Sequence, residues 1–363
     1  MTQKSFTTLC AVTAAAVLLA AVAILSQPRF EASYQQGDSI LPNLVQQAEH
    51  LKTVVIRQKG EIISLDREGG AWRARERHGF EADSEKVANL LIALARMTKL
   101  EGKTKDPARY ARLEVEDPKD ADAASRQVTL IDDAGKQLAD VVLGKRQFNM
   151  GTQGNNTYVR LAGDPQVWLA SGEVDDSATG VSSWLKKDVI DVASAQVARV
   201  TVTHPNGEKV VAKRQPVETP NMVIENLPKN TAAFEDGTAD SYAKLLSALV
   251  LEDIVGVADK PFPRDQTHVA VIEGVTGWRV DMELAELDGA HWIKLKGTPP
   301  GMSKPGTDRV VDTGTDWTQT MNTLNARFAD YAIAVPMYQV QPLKLRMTDL
   351  LTRKAEYQYT TPP

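Results

Sequence analysis

Cysteine is nearly absent from this sequence of 363 residues, because Cys10 is the only one. Cys10 lies inside the first apolar stretch, so the rest of the chain has no disulfide, no thiolate nucleophile and no cysteine metal site. The residues just before it, Thr7 to Leu9, are not the small residues that precede a lipidated cysteine. We therefore do not expect Cys10 to be a lipoprotein cysteine.

The chain also lacks a surplus of basic residues. Lysine and arginine number 42 against 47 aspartates and glutamates, which gives a net charge of −5. A nucleic-acid-binding domain normally carries a basic surplus. We therefore predict no nucleic-acid partner.

Few sequence features indicate catalysis. The closest two of the five histidines, His268 and His291, are 23 positions apart, so no local histidine pair of the metalloprotease type exists. A site assembled from distant histidines stays open. There is no P-loop, no G-x-G-x-x-G after a strand and no G-x-S-x-G turn. We predict no enzymatic activity, no cofactor, and no catalytic, cofactor-binding or metal-binding residue.

Two weaker patterns have structural alternatives. Ser183 and Lys186 fit S-x-x-K, in which a lysine activates a serine, but the same residues also suit a short turn that docks Trp184 on the core. Acidic groups occur in polar stretches that we interpret as solvated loops, and the carboxylate separation that a glycosidase needs cannot be measured from sequence. These groups are Asp117 with Asp120 and Asp122, Asp175 with Asp176, and Asp236 with Asp240.

The first 26 residues read as a membrane anchor. Ser5 to Leu25 is free of charge and as a helix would span about 30 Å, the thickness of the hydrocarbon core. Lys4 precedes it, which places the amino terminus in the cytoplasm and the body outside. The alternative is a cleavable signal peptide in which Ala21 and Ala23 form the A-x-A cleavage site. Residues 27–50 are then a linker and 356–363 a tail.

The body reads as two tandem repeats, 51–194 and 195–355. Hairpin patterns begin at Val54 and Val200, and again at Val128 and Val269. A closing aromatic segment follows each, at Trp184 and at Phe328. Residues 151–156 read as a hairpin loop or, alternatively, as a loop that contacts a partner or glycan.

Each repeat is also predicted to carry one amphipathic helix. Its apolar residues stand at i, i+3, i+4 and i+7, and Asp83 or Ser84 caps the first helix while Asp240 or Ser241 caps the second. Trp72 lies in the strand before the first helix. The predicted fold class is α+β: two tandem repeats of a mainly antiparallel sheet, preceded by a transmembrane helix. The two apolar sets are Val87, Leu90, Leu91 and Leu94, and Tyr242, Leu245, Leu246 and Leu249.

The sequence resembles an uncharacterised family of exported bacterial proteins, domain of unknown function 4340, over about residues 50 to 350. The resemblance implies a periplasmic or outer-surface location. Members of the family look like companions of ABC-type transport systems related to gliding-motility exporters, and the family supplies no catalytic residues. The chain departs from the family at Asn221-Met-Val, where a Gly-x-Trp turn is expected. The segments that carry the resemblance are Asp66–Trp72, Ala82-Asp83 before Leu90-Leu91, Leu143-Gly144, Tyr158–Arg160 and Val167–Leu169.

These features predict a non-enzymatic, single-pass inner-membrane protein with its body in the periplasm or outside the cell. Its predicted partners are the lipid bilayer, through residues 5–25, and membrane proteins such as subunits of an ABC-type transporter. One alternative is a module for cell-wall glycan or another envelope ligand, which needs exposed aromatics such as Tyr158, Trp168 or Trp292. A further alternative is an envelope hydrolase that uses Ser183 and Lys186.

Overall fold

The structure, a computed structural model, describes residues 37–119, 122–147, 155–175, 177–215, 221–225, 227–229, 231–233, 237–301 and 314–353. The described chain divides into two compact units. Unit 1 holds the residues up to Leu51, Ile56–Gly60 and Leu90–Val174, and unit 2 holds Lys52–Val55, Glu61–Asn89 and the residues from Asp175 onward. The predicted apolar segment at 5–25 and the tail at 356–363 lie outside the described residues.

Nine strands form the first large sheet, in the order β4-β3-β2-β1-β6-β7-β8-β9-β5. Strands β6 to β9 form an antiparallel meander, which β5 closes beside β9. The strands are β1 (Leu51–Gln58), β2 (Glu61–Glu68), β3 (Ala71–Ala74), β4 (Phe80–Glu81), β5 (Lys99–Thr104), β6 (Arg126–Asp132), β7 (Gln137–Gln147), β8 (Asn156–Leu161) and β9 (Val167–Ser171).

Eight strands form the second large sheet, in the order β13-β12-β11-β17-β18-β19-β20-β16, and two further sheets pair β10 with β15 and β14 with β21. The strands are β10 (Asp188–Ile190), β11 (Val197–Thr203), β12 (Lys209–Arg214), β13 (Met222–Glu225), β14 (Thr231–Ala233), β15 (Leu249–Val250), β16 (Asp253–Gly256), β17 (His268–Gly274), β18 (Arg279–Leu287), β19 (Ala290–Thr298), β20 (Tyr331–Val335) and β21 (Leu351–Arg353).

The predicted hairpins are present, and their turns explain them. Between β1 and β2, Lys59 and Gly60 both have positive φ, 48° and 75°. The β18–β19 hairpin, which was not predicted, has the same turn at Asp288 and Gly289, with φ of 54° and 76°. Two consecutive left-handed residues make the turn whose twist matches that of the flanking strands. Trp72 lies in strand β3, as predicted, and its side chain is buried.

Five α-helices are described: α1 (Leu44–Gln47), α2 (Ser84–Arg96), α3 (Tyr110–Leu113), α4 (Trp317–Phe328) and α5 (Met337–Val340). The predicted first helix is α2, which buries Val87, Leu90 and Leu94. Asp83 caps it, because its Oδ1 accepts hydrogen bonds from the backbone N–H groups of Glu85 and Lys86 at 3.0 and 3.1 Å.

Asp83→Ala should lower the free energy of unfolding by about 1 kcal/mol, because the first turn of α2 loses the acceptor for two backbone N–H groups. Urea denaturation followed by circular dichroism measures the change. Asp83→Asn keeps a side-chain oxygen and is the control, with an expected loss below about 0.5 kcal/mol. Equal losses in the two variants would contradict the cap.

The predicted fold class is wrong, because the chain is mostly β-sheet and the second predicted helix is not formed. Residues Thr238–Lys244 form a 3₁₀ turn instead, Ala248 has a φ of 45°, and Leu249 begins β15. All four apolar residues of the predicted stripe are buried nonetheless. Their spacing therefore indicates burial but not a helix. The left-handed conformation of Ala248 would end a helix before Leu249.

The long helix of the second half lies elsewhere. It is α4, which comes between β19 and β20 and ends at Phe328, whereas Trp184 ends a 3₁₀ turn (Val181–Trp184) that follows β9. The closing segments at Trp184 and Phe328 are therefore different kinds of element. No helix in the described part of the chain is long and apolar enough to cross a membrane.

The end of the predicted linker that the structure describes packs within unit 1. Ile40, Leu41 and Leu44 are buried, and Ser39 forms a β-bridge with Thr98. The apolar residues close to the end of a polar stretch account for this packing.

Candidate functional site

The residues after β20 run across one end of the second large sheet. This carboxyl-terminal segment, defined as Pro336–Leu350, contains α5 and two 3₁₀ turns, Gln341–Lys344 and Met347–Leu350. Val340, Leu343 and Leu350 bury their side chains. The segment is therefore held on unit 2 by apolar contacts along its length.

Two histidines lie beneath the segment. Thr203 of β11 pairs with Val269 of β17, so His204, just after β11, stands opposite His268 at the start of β17. Their Nδ1 atoms are 3.1 Å apart and their rings meet edge to face. Since an imidazolium carries a proton on each nitrogen, this contact needs one neutral ring whose Nδ1 accepts. We call His204 and His268 the histidine pair.

Burial makes the pair sensitive to its surroundings. His204 is only 2% exposed. Burial lowers the pKa of His204, while the charge of Glu208 and the carbonyl of Leu345 oppose this change. Burial, together with the neighbouring His204 and Lys344, lowers the pKa of His268 to about 4. The histidine pair is therefore neutral at pH 7.

A third histidine holds the segment directly. Lys344 donates to Glu286 at 2.6 Å and contacts Nε2 of His291 at 2.9 Å. A lysine ammonium has no acceptor, so Nε2 of His291 must accept and this ring is neutral. Burial and the charge of Lys344 lower the pKa of His291. His291 and Glu286 lie on β19 and β18, so this contact ties the segment to the hairpin of those strands.

Polar contacts fix the rest of the segment. The backbone N–H of Met347 donates to Glu208 at 2.8 Å, and that of Arg346 donates to Asp349 at 2.9 Å. The hydroxyl of the fully buried Tyr242 lies 3.4 Å from the carbonyl oxygen of Leu345, and burial raises the pKa of that tyrosine.

The segment begins with two exposed apolar side chains. Met337 is 53% exposed and Tyr338 is 70% exposed. The next residue, Gln339, donates to the carbonyl of Ala248 at 2.9 Å and accepts from the N–H of Val250 at 3.2 Å. These two hydrogen bonds anchor the backbone next to Met337 and Tyr338 beside β15. We call Met337 and Tyr338 the apolar pair.

Ser183 and Lys186, the residues of the S-x-x-K pattern, contact different groups in the structure. The Oγ of Ser183 donates to the carbonyl of Gly180 at 2.7 Å, while Lys186 lies 3.9 Å from Glu81. Trp184 is buried, as the structural alternative predicted. Ser183 and Lys186 are thus each engaged with other groups.

The aromatic residues proposed for glycan binding do not share one surface. Trp292 is buried. In the β8–β9 pair, Trp168 stands opposite Val159 and Tyr158 stands opposite Leu169, so the two rings point to opposite faces of the sheet. A flat platform of stacked rings therefore cannot form from these three residues.

Several predicted loop residues are described. Asp117 pairs with Arg160, Asp175 accepts from Ser177 at 2.9 Å, and Asp240 accepts from the N–H of Met222 at 2.6 Å. Asp120, Asp176 and Asp236, and residues 151–154 of the predicted loop, lie outside the described residues. In the described part of the chain, no three histidine, cysteine or acidic side chains are grouped as a metal site requires.

The sequence does not predict the histidine pair. Its members are separated by 64 positions, and nothing local in the sequence marks them. The one sequence signal is that each histidine stands at one end of a β-branched run that is predicted to form a strand. Recognising that β11 and β17 pair side by side would have put the two rings together.

A scan of family models matches residues 72–266 to the family described as Domain of unknown function (DUF4340). The matched range contains most of the segments on which the resemblance rests, from Trp72 to Val167–Leu169. No curated protein matches the chain. No solved structure matches it either. Since the match covers more than half of the sequence, the chain belongs to the DUF4340 family.

Proposed function

We propose that this chain is a non-enzymatic envelope protein that binds membrane-protein partners as an accessory component of an ABC-type transport system. The apolar run from Ser5 to Leu25, preceded by Lys4, supports delivery of the body across the membrane. The resemblance to exported companions of transporters supports the kind of partner. The contact surface is the apolar pair.

The observation that supports partner binding is the exposure of the apolar pair on a stretch of backbone that Gln339 anchors. Methionine and tyrosine are enriched in protein interfaces, where a few such side chains supply most of the binding free energy. An anchored backbone also reduces the conformational entropy that is lost when a partner binds. Met337 and Tyr338 combine both properties, because Gln339 holds their backbone by two hydrogen bonds.

A photo-crosslinking amino acid at position 338 of the full-length chain should capture an integral membrane subunit in intact cells. The double substitution of Met337→Ser and Tyr338→Ser should reduce recovery of that subunit about tenfold or more, because truncating interface anchors has effects of this size. Mass spectrometry of the adducts and quantitative co-purification measure both results.

Val45→Ser is the matched control, since Val45 is an exposed apolar residue of unit 1 with 73% exposure. Its recovery of the subunit should equal that of the wild type. Adducts only with cytosolic proteins, or equal recovery by the double variant, would refute the proposed contact surface.

The location is tested separately. A reporter that is active only outside the cytoplasm, fused to the carboxyl end, should be active, and a reporter active only in the cytosol should be silent. The reverse pattern would refute export, and with it the proposed role.

A further inference from the structure

Two contacts beneath the carboxyl-terminal segment require neutral imidazoles. In the histidine pair, the 3.1 Å approach of the two Nδ1 atoms leaves room for one proton between them. At His291, Lys344 already supplies the proton of the contact. If both rings of the pair, or His291, became imidazolium, N–H groups would face each other and like charges would meet.

Charged side chains from several elements lie near these three rings. Glu208 is attracted to a protonated His204, whereas Arg346 and Lys344 disfavour a charged pair. At His291, Lys344 disfavours the charged ring and Glu286 favours it. Burial outweighs the favourable carboxylates at all three rings. The titratable and charged groups are Glu208 in the β11–β12 turn, Tyr242 in the 3₁₀ turn, Glu252 before β16, Glu286 on β18, and Lys344, Arg346 and Asp349 on the segment.

We propose that His204, His268 and His291 form an acid-sensitive latch that holds the carboxyl-terminal segment closed when neutral and releases it when protonated. The segment carries the apolar pair at its start, so release alters the surface assigned above to partner binding. That consequence rests on the proposed function. The release itself needs no partner.

The direction of the pH effect follows from linkage. When the segment opens, the rings meet water and titrate near their ordinary value of 6.5, whereas in the closed form the pKa of His268 is about 4. The open form therefore binds more protons between these values. The closed form is fully favoured above pH 6.5 and loses stability as the pH falls from 6.5 towards 4.

Hydrogen exchange of the full-length chain, measured by mass spectrometry and corrected for the intrinsic pH dependence of amide exchange, tests the latch. From pH 7.5 to pH 5, protection of peptides within 337–350 should fall about tenfold or more, by linkage through His268 alone. Peptides within 137–147 of unit 1 are the reference and should hold their protection.

Substitutions separate the histidines from the carboxylates. His204→Gln, His268→Gln and His291→Gln each keep a hydrogen-bonding side chain without titration, and the triple variant should show protection that no longer depends on pH. His50→Gln is the control, because His50 is an exposed histidine of unit 1, and it should behave as the wild type. If the triple variant does not fold, each single variant that folds should still show a reduced pH dependence.

Protection of the segment that does not change with pH in the wild type would overturn the latch. So would a pH dependence that persists in the triple variant, because Glu208 or Asp349 would then be responsible. A loss spread evenly over unit 2 would also overturn it. None of these readouts involves a partner, so failure of the latch and failure of the proposed function are distinguishable.

Discussion

Trp278→Ala should lower the free energy of unfolding of unit 2 by about 3 to 5 kcal/mol, the range for removing a large aromatic side chain from a core. Trp278 is fully buried just before β18, and its ring stacks on Trp317, the first residue of α4, with 4.8 Å between the centroids. Removal of the indole ring leaves a cavity and separates the start of α4 from the β17–β18 hairpin. Urea denaturation followed by circular dichroism measures the loss.

Gly274 provides an internal control for this prediction. A Cβ on Gly274 would overlap the indole ring of Trp278, so Gly274→Ala alone should also be destabilising. In the Trp278→Ala background the added methyl has room, and the cost should drop by about 1 to 3 kcal/mol, as expected for residues in contact. Additive losses in this double-mutant cycle would contradict the packing described for this corner.

The hairpins could be predicted because their determinants are local. Glycine after Lys59 supplies the left-handed turn, and the apolar runs on both sides supply the strands. The cap at Asp83 is local in the same way. In each case the residues that decide the conformation lie within a few positions of one another.

The failures share a physical cause in long-range contacts. The four apolar residues of the stripe from Tyr242 to Leu249 are all buried in the core. Their spacing does not determine the backbone conformation that buries them. The contacts that settle the backbone there come from far along the chain: Ser247 donates to the carbonyl of Val192, and Gln339 donates to that of Ala248. A hydrophobic pattern contains no information about such partners.

The candidate site shows the same limit. The histidine pair depends on the register of β11 against β17, and His291 depends on Lys344, 53 positions away. The family adds no residue roles, so chemistry at these positions follows from geometry alone. Isolated histidines in a sequence become interpretable when strand order is known.

Gly144→Ala should lower the free energy of unfolding of unit 1 by about 3 kcal/mol, at the upper end of the range for overpacking. Gly144 lies within β7, where a Cβ would stand 2.7 Å from the carbonyl oxygen of Glu114 and 2.5 Å from Cγ1 of Val115. The carbonyl oxygen of Leu113 would be nearer still. The two carbonyl oxygens lie at the last residue of helix α3 and at the residue after it. Backbone atoms cannot move aside as a flexible side chain does, so the strand or the turn must shift. Thermal and urea denaturation of the full-length chain measure the loss.

Gly102→Ala in β5 is the matched control, because a Cβ there would meet the flexible end of Gln166 at 3.3 Å and the ring edge of Trp168 at 3.4 Å. Its expected loss is below about 1 kcal/mol, since alanine suits a strand about as well as glycine and the glutamine can rotate away. The two substitutions add the same methyl group to strands of one unit. A difference between them therefore isolates the close approach of the 113–115 backbone to β7, and equal losses would mean that this approach does not exist.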